Sequence, residues 1–278
     1  QINLRSKMER WSGRLALVTG ASSGIGAAVV VALANHGMKV VGCARTVQKI
    51  EALKSQVKNP KGSIIAVRCD LRKESEILAV VDICKKNGGI DVCINNAGLA
   101  NNAPLLSAET EQWREMVDVN ILALSIFTRE AYKSMKERNV TDGHIIHVSS
   151  WAGHVVLDSP LGHFYTGTKQ MVKALLLGLR NEIRATGTRI RVSEISPGGV
   201  DTNFATNVVG EQAAKFFTST FKHLQPEDVA NSIVFMLQNP PHVEAYEVIL
   251  LPTEQYDTAL MAAAAQAAHS MKTGNLET

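Results

Sequence analysis

An α/β fold, one doubly wound parallel sheet with helices on both faces, is what the sequence predicts, and three observations carry it. The chain has 278 residues, enough to bury one large core without disulfide staples. Short β-branched or apolar runs alternate along it with longer amphipathic stretches, the rhythm of repeated strand–helix units. The short runs are apolar throughout rather than at every second residue, as in Leu15-Ala16-Leu17-Val18. Each strand is therefore expected to be buried on both faces, as in a parallel sheet between helices.

The first strand, Leu15–Thr19, runs into a glycine-rich turn and a helix over Ile25–His36 that Gly37 stops. The unit repeats as strand Lys39–Ala44 with helix Val47–Val57, strand Ser63–Arg68 with helix Glu74–Lys86, and strand Ile90–Ile94 with the long helix Glu109–Arg138. Strand His144–Ser149, helix Phe164–Thr186, strand Arg189–Ile195, helix Pro226–Gln238 and strand Glu247–Leu251 complete seven strands. Residues 199–225 carry no clear element, and a loop of that length is expected to be a lid. The domain is expected to span 11–257, after an extension over 1–10. Met8 reads as the natural start, with residues 1–7 a cloning remnant. The Ala-rich tail 258–278 favours helix and either packs on its own domain, packs on a neighbouring subunit, or is itself appended.

Hydrophobic residues make up 45% and charged residues 20%, with a net charge of +3, which excludes general disorder. The basic residues are scattered, so no nucleic-acid partner is expected. Cys43, Cys69, Cys84 and Cys93 show neither a C-x-x-C pair nor zinc spacing; no metal is expected, and a reducing, cytoplasmic location is. No run approaches the ~18 apolar residues of a membrane span, and residues 1–7 lack a signal-peptide core. Three cysteines, Cys43, Cys69 and Cys93, fall on neighbouring strands as small core residues. His154 and His163 have no third ligand or acid at metal or triad spacing and are expected to be loop or cap histidines.

The turn Thr19-Gly20-Ala21-Ser22-Ser23-Gly24-Ile25-Gly26 lies between a strand and a helix, where glycines allow a tight turn and let a pyrophosphate approach the helix N-terminus. Tyr165 and Lys169 stand four apart at the start of a predicted helix, which places both on one face. An ammonium ~4 Å from a phenol at an effective dielectric of ~20 stabilises phenolate by ~4 kcal/mol, enough to bring its titration towards neutrality. Tyr165 would then exchange protons readily. Ser150, at the end of a strand, lies where ligands of doubly wound sheets bind, with Ser149 as its competitor. Ala44 stands where an NAD-binding carboxylate is usual, and Arg45 follows; with Ser22 adding a hydrogen bond, this predicts NADP(H).

Taken in order, Thr19–Gly26, Asn95-Asn96-Ala97-Gly98, Asn120, Ser150, Tyr165-Thr166-Gly167-Thr168-Lys169 and Pro197-Gly198 resemble the short-form branch of the short-chain dehydrogenase/reductases over about residues 10–256. Met8-Glu9-Arg10-Trp11, Cys43-Ala44-Arg45-Thr46, Ser134–Arg138 and Leu251–Gln255 resemble, within it, the subgroup of insect farnesol dehydrogenase-like enzymes and the vertebrate dehydrogenase/reductase member eleven, an NADP-dependent ketosteroid reductase. The resemblance implies a Rossmann-type domain and a catalytic set of Asn120, Ser150, Tyr165 and Lys169, with the second serine, Ser150, orienting the substrate oxygen. It implies that Asn120 helps hold a water joining Lys169 to solvent, that Asp70 and Leu71 meet the adenine, and that Asn96 lies by the ribose. Gly20, Ser22, Ser23, Gly24, Ile25 and Gly26, then Arg45 and Thr46, would hold the phosphates, while Pro197, Gly198, Val200 and Thr202 hold the nicotinamide amide and Tyr165 and Lys169 its ribose side. Two departures from the family pattern stand out: Gly167 replaces the usual Ala or Ser, as close approach by the cofactor or another helix would require, and the bulky Trp151 follows Ser150 and narrows the pocket.

These observations predict an NADP(H)-dependent oxidoreductase that interconverts an alcohol and a ketone or aldehyde; the alternative is a catalytically silent NADP(H)-binding scaffold or sensor. The lid carries Phe204, Val208, Val209, Phe216, Phe217 and Phe221, and Leu99, Trp151, Val155, Val156 and Leu157 stand on the opposite wall. Leu99, Ser150, Trp151, Val155, Phe204 and Phe217 are the expected substrate contacts. Such walls favour a hydrophobic substrate, an isoprenoid alcohol such as farnesol, a ketosteroid or a similar carbonyl, at ~0.8 kcal/mol per buried methylene. The same phenylalanines would otherwise be core or subunit contact. A homodimer or homotetramer is expected.

Overall fold

The computed structural model describes residues 8–157, 162–204 and 221–255, together with 206, 210, 211, 214, 215 and 219. Seven parallel strands form one sheet in the order β3-β2-β1-β4-β5-β6-β7. They are β1 (Leu15–Thr19), β2 (Lys39–Ala44), β3 (Ser63–Arg68), β4 (Val92–Asn95), β5 (His144–Val148), β6 (Arg191–Pro197) and β7 (Glu247–Leu250). The helices between them are α1 (Gly24–Asn35), α2 (Val47–Ala52), α3 (Glu74–Lys86), α4 (Thr110–Val117), α5 (Leu124–Glu137), α6 (His163–Ala185) and α7 (Pro226–Gln238). Every residue of β1, β4, β5 and β6 is buried, as the continuous apolar runs required.

Two cores sandwich the sheet. One joins Val18, Val40, Ile94 and Ile146 to α1 and α7 through Val30, Leu33, Ile233 and Leu237. The other joins Leu17, Val41, Cys93 and Ile145 to α3, α5 and α6 through Val80, Phe127, Ala131 and Leu176. All four cysteines are free and buried in this second layer. Trp11, fully buried, donates through Nε1 to the Leu237 carbonyl at 2.9 Å and so ties the start of the domain to the end of α7.

The long helix expected over Glu109–Arg138 is interrupted. Asp118–Ala123, between α4 and α5, forms a π-helical turn that contains Asn120. The second helix is shorter than expected as well: α2 ends at Ala52 and continues as a 3-10 turn over Leu53–Gln56. In the segment 199–225 a parallel bridge pairs Val200 with Leu224, while Val208, Val209, Phe216 and Phe217 lie outside the described residues, as do 1–7 and the tail 258–278. Among the described residues no helix is long and apolar enough to cross a membrane.

Candidate active site

The order of strands places a switch between β1 and β4, whose following chains leave in opposite directions, and a ligand crevice opens there at the carboxyl ends. Gly20 and Gly24 adopt φ of +66° and +53°, conformations a side chain resists. A Cβ on Gly26 would stand 2.3 Å from the Gly20 carbonyl oxygen, so only glycine allows α1 to start this close to β1. Ser23 precedes α1 without making a side-chain cap, and the helix N-terminus is available to an anion. Ile25 packs its side chain on the core below. Thr202 reaches this turn from the far side, its Cγ2 lying 3.0 Å from where a Cβ of Gly24 would be. At the end of β2, Ala44 is buried and Arg45 and Thr46 are exposed. Arg45 makes no ion pair or hydrogen bond among the described residues. A bare-backbone cradle beside an unpaired guanidinium fits a nicotinamide dinucleotide with a phosphate on its adenosine ribose.

Two polar residues expected to touch that dinucleotide are already engaged. Asn96 donates its side-chain amide to the turn itself, to Thr19 O at 2.8 Å and more weakly to Gly20 O at 3.4 Å, and so braces the glycines. Asp70 accepts from Arg72 on both oxygens, at 3.0 Å and 2.8 Å. The Arg72 guanidinium holds the Asp70 carboxyl down to about 2, and Leu71 between them is half-buried. Arg72 also reaches Glu115 at 2.7 Å. Across the crevice, Pro197 is buried at the end of β6, Gly198 donates its N–H to Leu250 O at 2.8 Å, and Gly199 N–H is held by Gln255 Oε1 at 2.8 Å.

Ser150, Tyr165 and Lys169 come together at the mouth of β5. The phenol of Tyr165 is buried, with the Ser150 side chain close enough to act on its titration, while Ser150 Oγ accepts from Ala152 N–H at 3.1 Å. Ser149 points elsewhere, its Oγ lying 3.2 Å from where a Cβ of Gly153 would be. Lys169 is buried, with Nζ 5.7 Å from the centroid of the Tyr165 ring and donating to Val148 O at 3.1 Å. The expected easing of the phenol is not what results. Burial pushes Tyr165 up to about 12, opposed by the neighbouring Ser150 side chain, and pushes Lys169 down to about 8, opposed by the charge of Glu194. Desolvation outweighs the attraction that the four-residue spacing suggested, because both groups are out of water and the ammonium is directed at a carbonyl.

Asn120 has every side-chain group in use. Its Nδ2 donates to Leu99 O at 2.8 Å and Thr168 Oγ1 at 3.0 Å, and its Oδ1 accepts from Leu99 N–H at 2.8 Å. The π-helical turn around Asn120 alters the usual pairing of the helix carbonyls there. Thr168, which also donates to Tyr165 O at 2.7 Å, is a supporting residue that the sequence offered only as the fourth letter of the Tyr165–Lys169 run. Gly167 is exposed and a Cβ there would meet nothing within 4 Å, so no close approach within this chain explains it.

An apolar patch surrounds the phenol. Ala100, Ala103, Met116 and Ala152 cluster with Tyr165, with Leu99, Trp113, Leu157 and Phe164 packed against them. Phe204 lies 5.6 Å from the Tyr165 ring. Trp113 stacks on Phe164 at 5.5 Å, a pair drawn from α4 and α6 that no local pattern announced. Trp151, expected to narrow the pocket, stacks instead on His154 at 5.7 Å and is not among the residues packed on this patch. Val155 is half-buried outside it, Val156 is 61% exposed, and Phe221 stacks on His223 at 4.0 Å.

His154 does have partner acids, contrary to expectation. Its Nε2 is 3.3 Å from Glu247 Oε1 and 3.9 Å from Glu194 Oε1, and its Nδ1 is 3.1 Å from Lys173 Nζ. These partners come from β7, β6 and α6, which chain spacing could not reveal. The three possible ligand atoms lie within 4.8 Å of one another, but the Lys173 ammonium, 2.9 Å from Glu247, already supplies the positive charge.

Comparison with known proteins agrees with this arrangement. Residues 14–213 match the family described as short chain dehydrogenase. Dehydrogenase/reductase SDR family member 11 of Gallus gallus is 53% identical over 254 residues, covering 89% of this chain and 99% of that protein. Farnesol dehydrogenase of Aedes aegypti is 42% identical, covering 88% and 98%. Among solved structures, the closed form of a serine dehydrogenase complexed with NADP+ superposes with a TM-score of 0.77 at 31% identity, covering 87% and 97%.

Proposed function

The chain belongs to the short-chain dehydrogenase family and is an oxidoreductase, and we propose that it interconverts an alcohol and a ketone or aldehyde on a hydrophobic substrate, using NADP(H). The observation that carries the reading is the meeting of Ser150, Tyr165 and Lys169 at one end of the crevice, with the glycine cradle and Arg45 at the other. A bound nicotinamide supplies or accepts the hydride. Ser150 donates to the substrate oxygen and fixes its distance from the phenol. Tyr165, kept protonated by burial, hands its proton to that oxygen in the reducing direction and takes it back in the oxidising one. Lys169 sets the charge beside the phenol, and Asn120 holds the loop at Leu99 against α6 so that the wall and the proton donor keep their spacing. Arg45 selects NADP(H), since the 2′-phosphate on the adenosine ribose is the charge that NAD(H) lacks.

The apolar patch of Leu99, Met116, Leu157, Phe164 and Phe204 around Tyr165 supports a lipid-like substrate. The likeness to a farnesol dehydrogenase favours an isoprenoid alcohol or its aldehyde, with a ketosteroid next. The test is NADPH consumption along a series of alkyl ketones and aldehydes of rising length. kcat/KM should climb by about three- to fourfold per methylene while the chain remains on the wall, from ~0.8 kcal/mol each, and Phe204→Ala should flatten the climb. Flat efficiency in the unmodified enzyme would mean a small polar substrate, and no consumption of NADPH with any carbonyl would favour the silent scaffold. Exposed Leu122, Met171 and Leu177 on the π-helical turn and α6 are suited to a second copy of the chain in a homo-oligomer.

A further inference from the structure

Tyr165, Lys169 and Lys173 stand at successive four-residue steps on α6, so they share the helix face that looks onto β5, β6 and β7. On the sheet, Glu194 in β6 and Glu247 in β7 are register partners. Glu247 is 27% exposed and has Lys173 at 2.9 Å. Glu194 is different. Its side chain is fully buried, its Oε1 accepts from Ser196 Oγ at 2.8 Å, and its Oε2 has no hydrogen-bond partner. A carboxylate so placed is unfavourable unless a positive charge answers it. The complementary group is Lys169, one helical turn before Lys173, also buried, with a hydrogen bond to Val148 O, and Val148 is the register partner of Ile195 next to Glu194.

We propose that Glu194 is a positioning residue for the reaction, the buried anion that holds Lys169 in its ammonium form at working pH. The inference rests on the role of Lys169 proposed above. The other groups facing the pair do not replace Glu194. His147, on β5, is buried and kept neutral, pushed down to about 3 by burial and by Lys169 itself. Tyr165 is a protonated phenol below about 12. His154, on the turn after β5, is pushed down by its burial and by Lys173. Glu247 is matched with Lys173. Burial, joined by the Glu247 charge, pushes the Glu194 carboxyl up, opposed by the Ser196 hydrogen bond and by Lys169, and burial pushes Lys169 down to about 8, opposed by Glu194.

The experiment is the pH profile of kcat for the unmodified enzyme, Glu194→Gln, Glu194→Asp and Glu247→Gln, with Lys169→Ala beside them. If the ammonium is the active form, turnover falls as pH rises through its titration, and loss of the anion must move that alkaline limb to lower pH by about one unit. Glu194→Asp, which keeps the charge, should hold the limb in place, and so should Glu247→Gln, which disturbs the same cluster at its outer end. Lowered turnover in Glu194→Gln with an unmoved limb would leave Glu194 a structural residue and overturn the inference. Lysine-selective NMR titration of Lys169 supplies the same readout without turnover, and an unshifted Lys169 signal in Glu194→Gln would overturn it equally. If Glu194→Gln does not fold, Glu194→Ser takes its place as a second variant without the charge, and a limb and Lys169 titration displaced to lower pH support the inference while unmoved ones overturn it. If Lys169→Ala retains full turnover, it is the proposed function of Lys169 that fails; if it is inactive while the limb ignores Glu194, the failure belongs to this inference alone.

Discussion

The two ends of the crevice are built by different physics. At the β1–α1 turn the determinants are absences: no side chain on Gly20, Gly24 and Gly26, no cap on α1, no acid after Ala44. Recognition there depends on how close backbone can come, which pH does not alter. On the α6 face the determinants are titratable groups without water, Lys169, Glu194 and a phenol pushed up to about 12. The contrast teaches that binding and turnover in this molecule should respond to different perturbations, the first to volume and the second to protonation.

Four substitutions break or sharpen that contrast. The largest effect is expected from Tyr165→Phe, which removes only the exchangeable proton; turnover should fall by ~10²- to 10⁴-fold while fluorescence titration finds NADPH affinity unchanged. Gly26→Ala should do the reverse, because its Cβ must displace the Gly20 carbonyl 2.3 Å away. A stability loss of about 1–3 kcal/mol with weakened NADPH binding, equal at acid and alkaline pH, is the expected outcome by urea unfolding and titration. Arg45→Ala should weaken NADPH by about ten- to a hundredfold, from ~1.5–3 kcal/mol for a charged hydrogen bond, and leave NADH unaffected; equal loss for both would make Arg45 a fold residue. The smallest concerns the proton side. His147, buried neutral beside Thr128 at 3.2 Å and pushed down to about 3, contributes stability that is complete above ~6.5 and is lost as pH falls towards the folded-state value, at up to ~1.4 kcal/mol per pH unit. Unfolding measured against pH should lose that share of its slope in His147→Gln.

Much of this was legible in the chain. Continuous apolar runs placed the first three strands at their observed bounds; β1 and most of β2 are buried on both faces as such runs require, whereas β3, at the sheet edge, is only partly covered. Tyr165 and Lys169 share a helix, so their spacing alone brought them together. What stayed hidden has one of two causes. The π-helical turn at Asn120 is stabilised by Leu99 and Thr168, contacts across 21 and 48 residues, and a helix-period pattern reads straight through it. The acids around His154 and the Trp113–Phe164 stack likewise assemble only once the sheet is ordered. The direction of the Tyr165 shift was hidden for another reason: spacing reports how near a charge lies, whereas the depth of burial, which outweighed it, belongs to the finished fold.

The four cysteines of the second core have a consequence for the life of the protein under oxidants. Cys43, Cys69, Cys84 and Cys93 are shut away in the core, where burial drives the thiols of Cys84 and Cys93 upward and the neighbouring Cys69, together with burial, does the same for Cys43, away from the reactive thiolate. Chemistry at these sulfurs must wait for the layer to part. A thiol reagent added to the native enzyme would consequently act as a clock, counting openings of the α3–α5 side of the molecule, and oxidative damage to this protein would be paced by its own breathing rather than by the abundance of the oxidant.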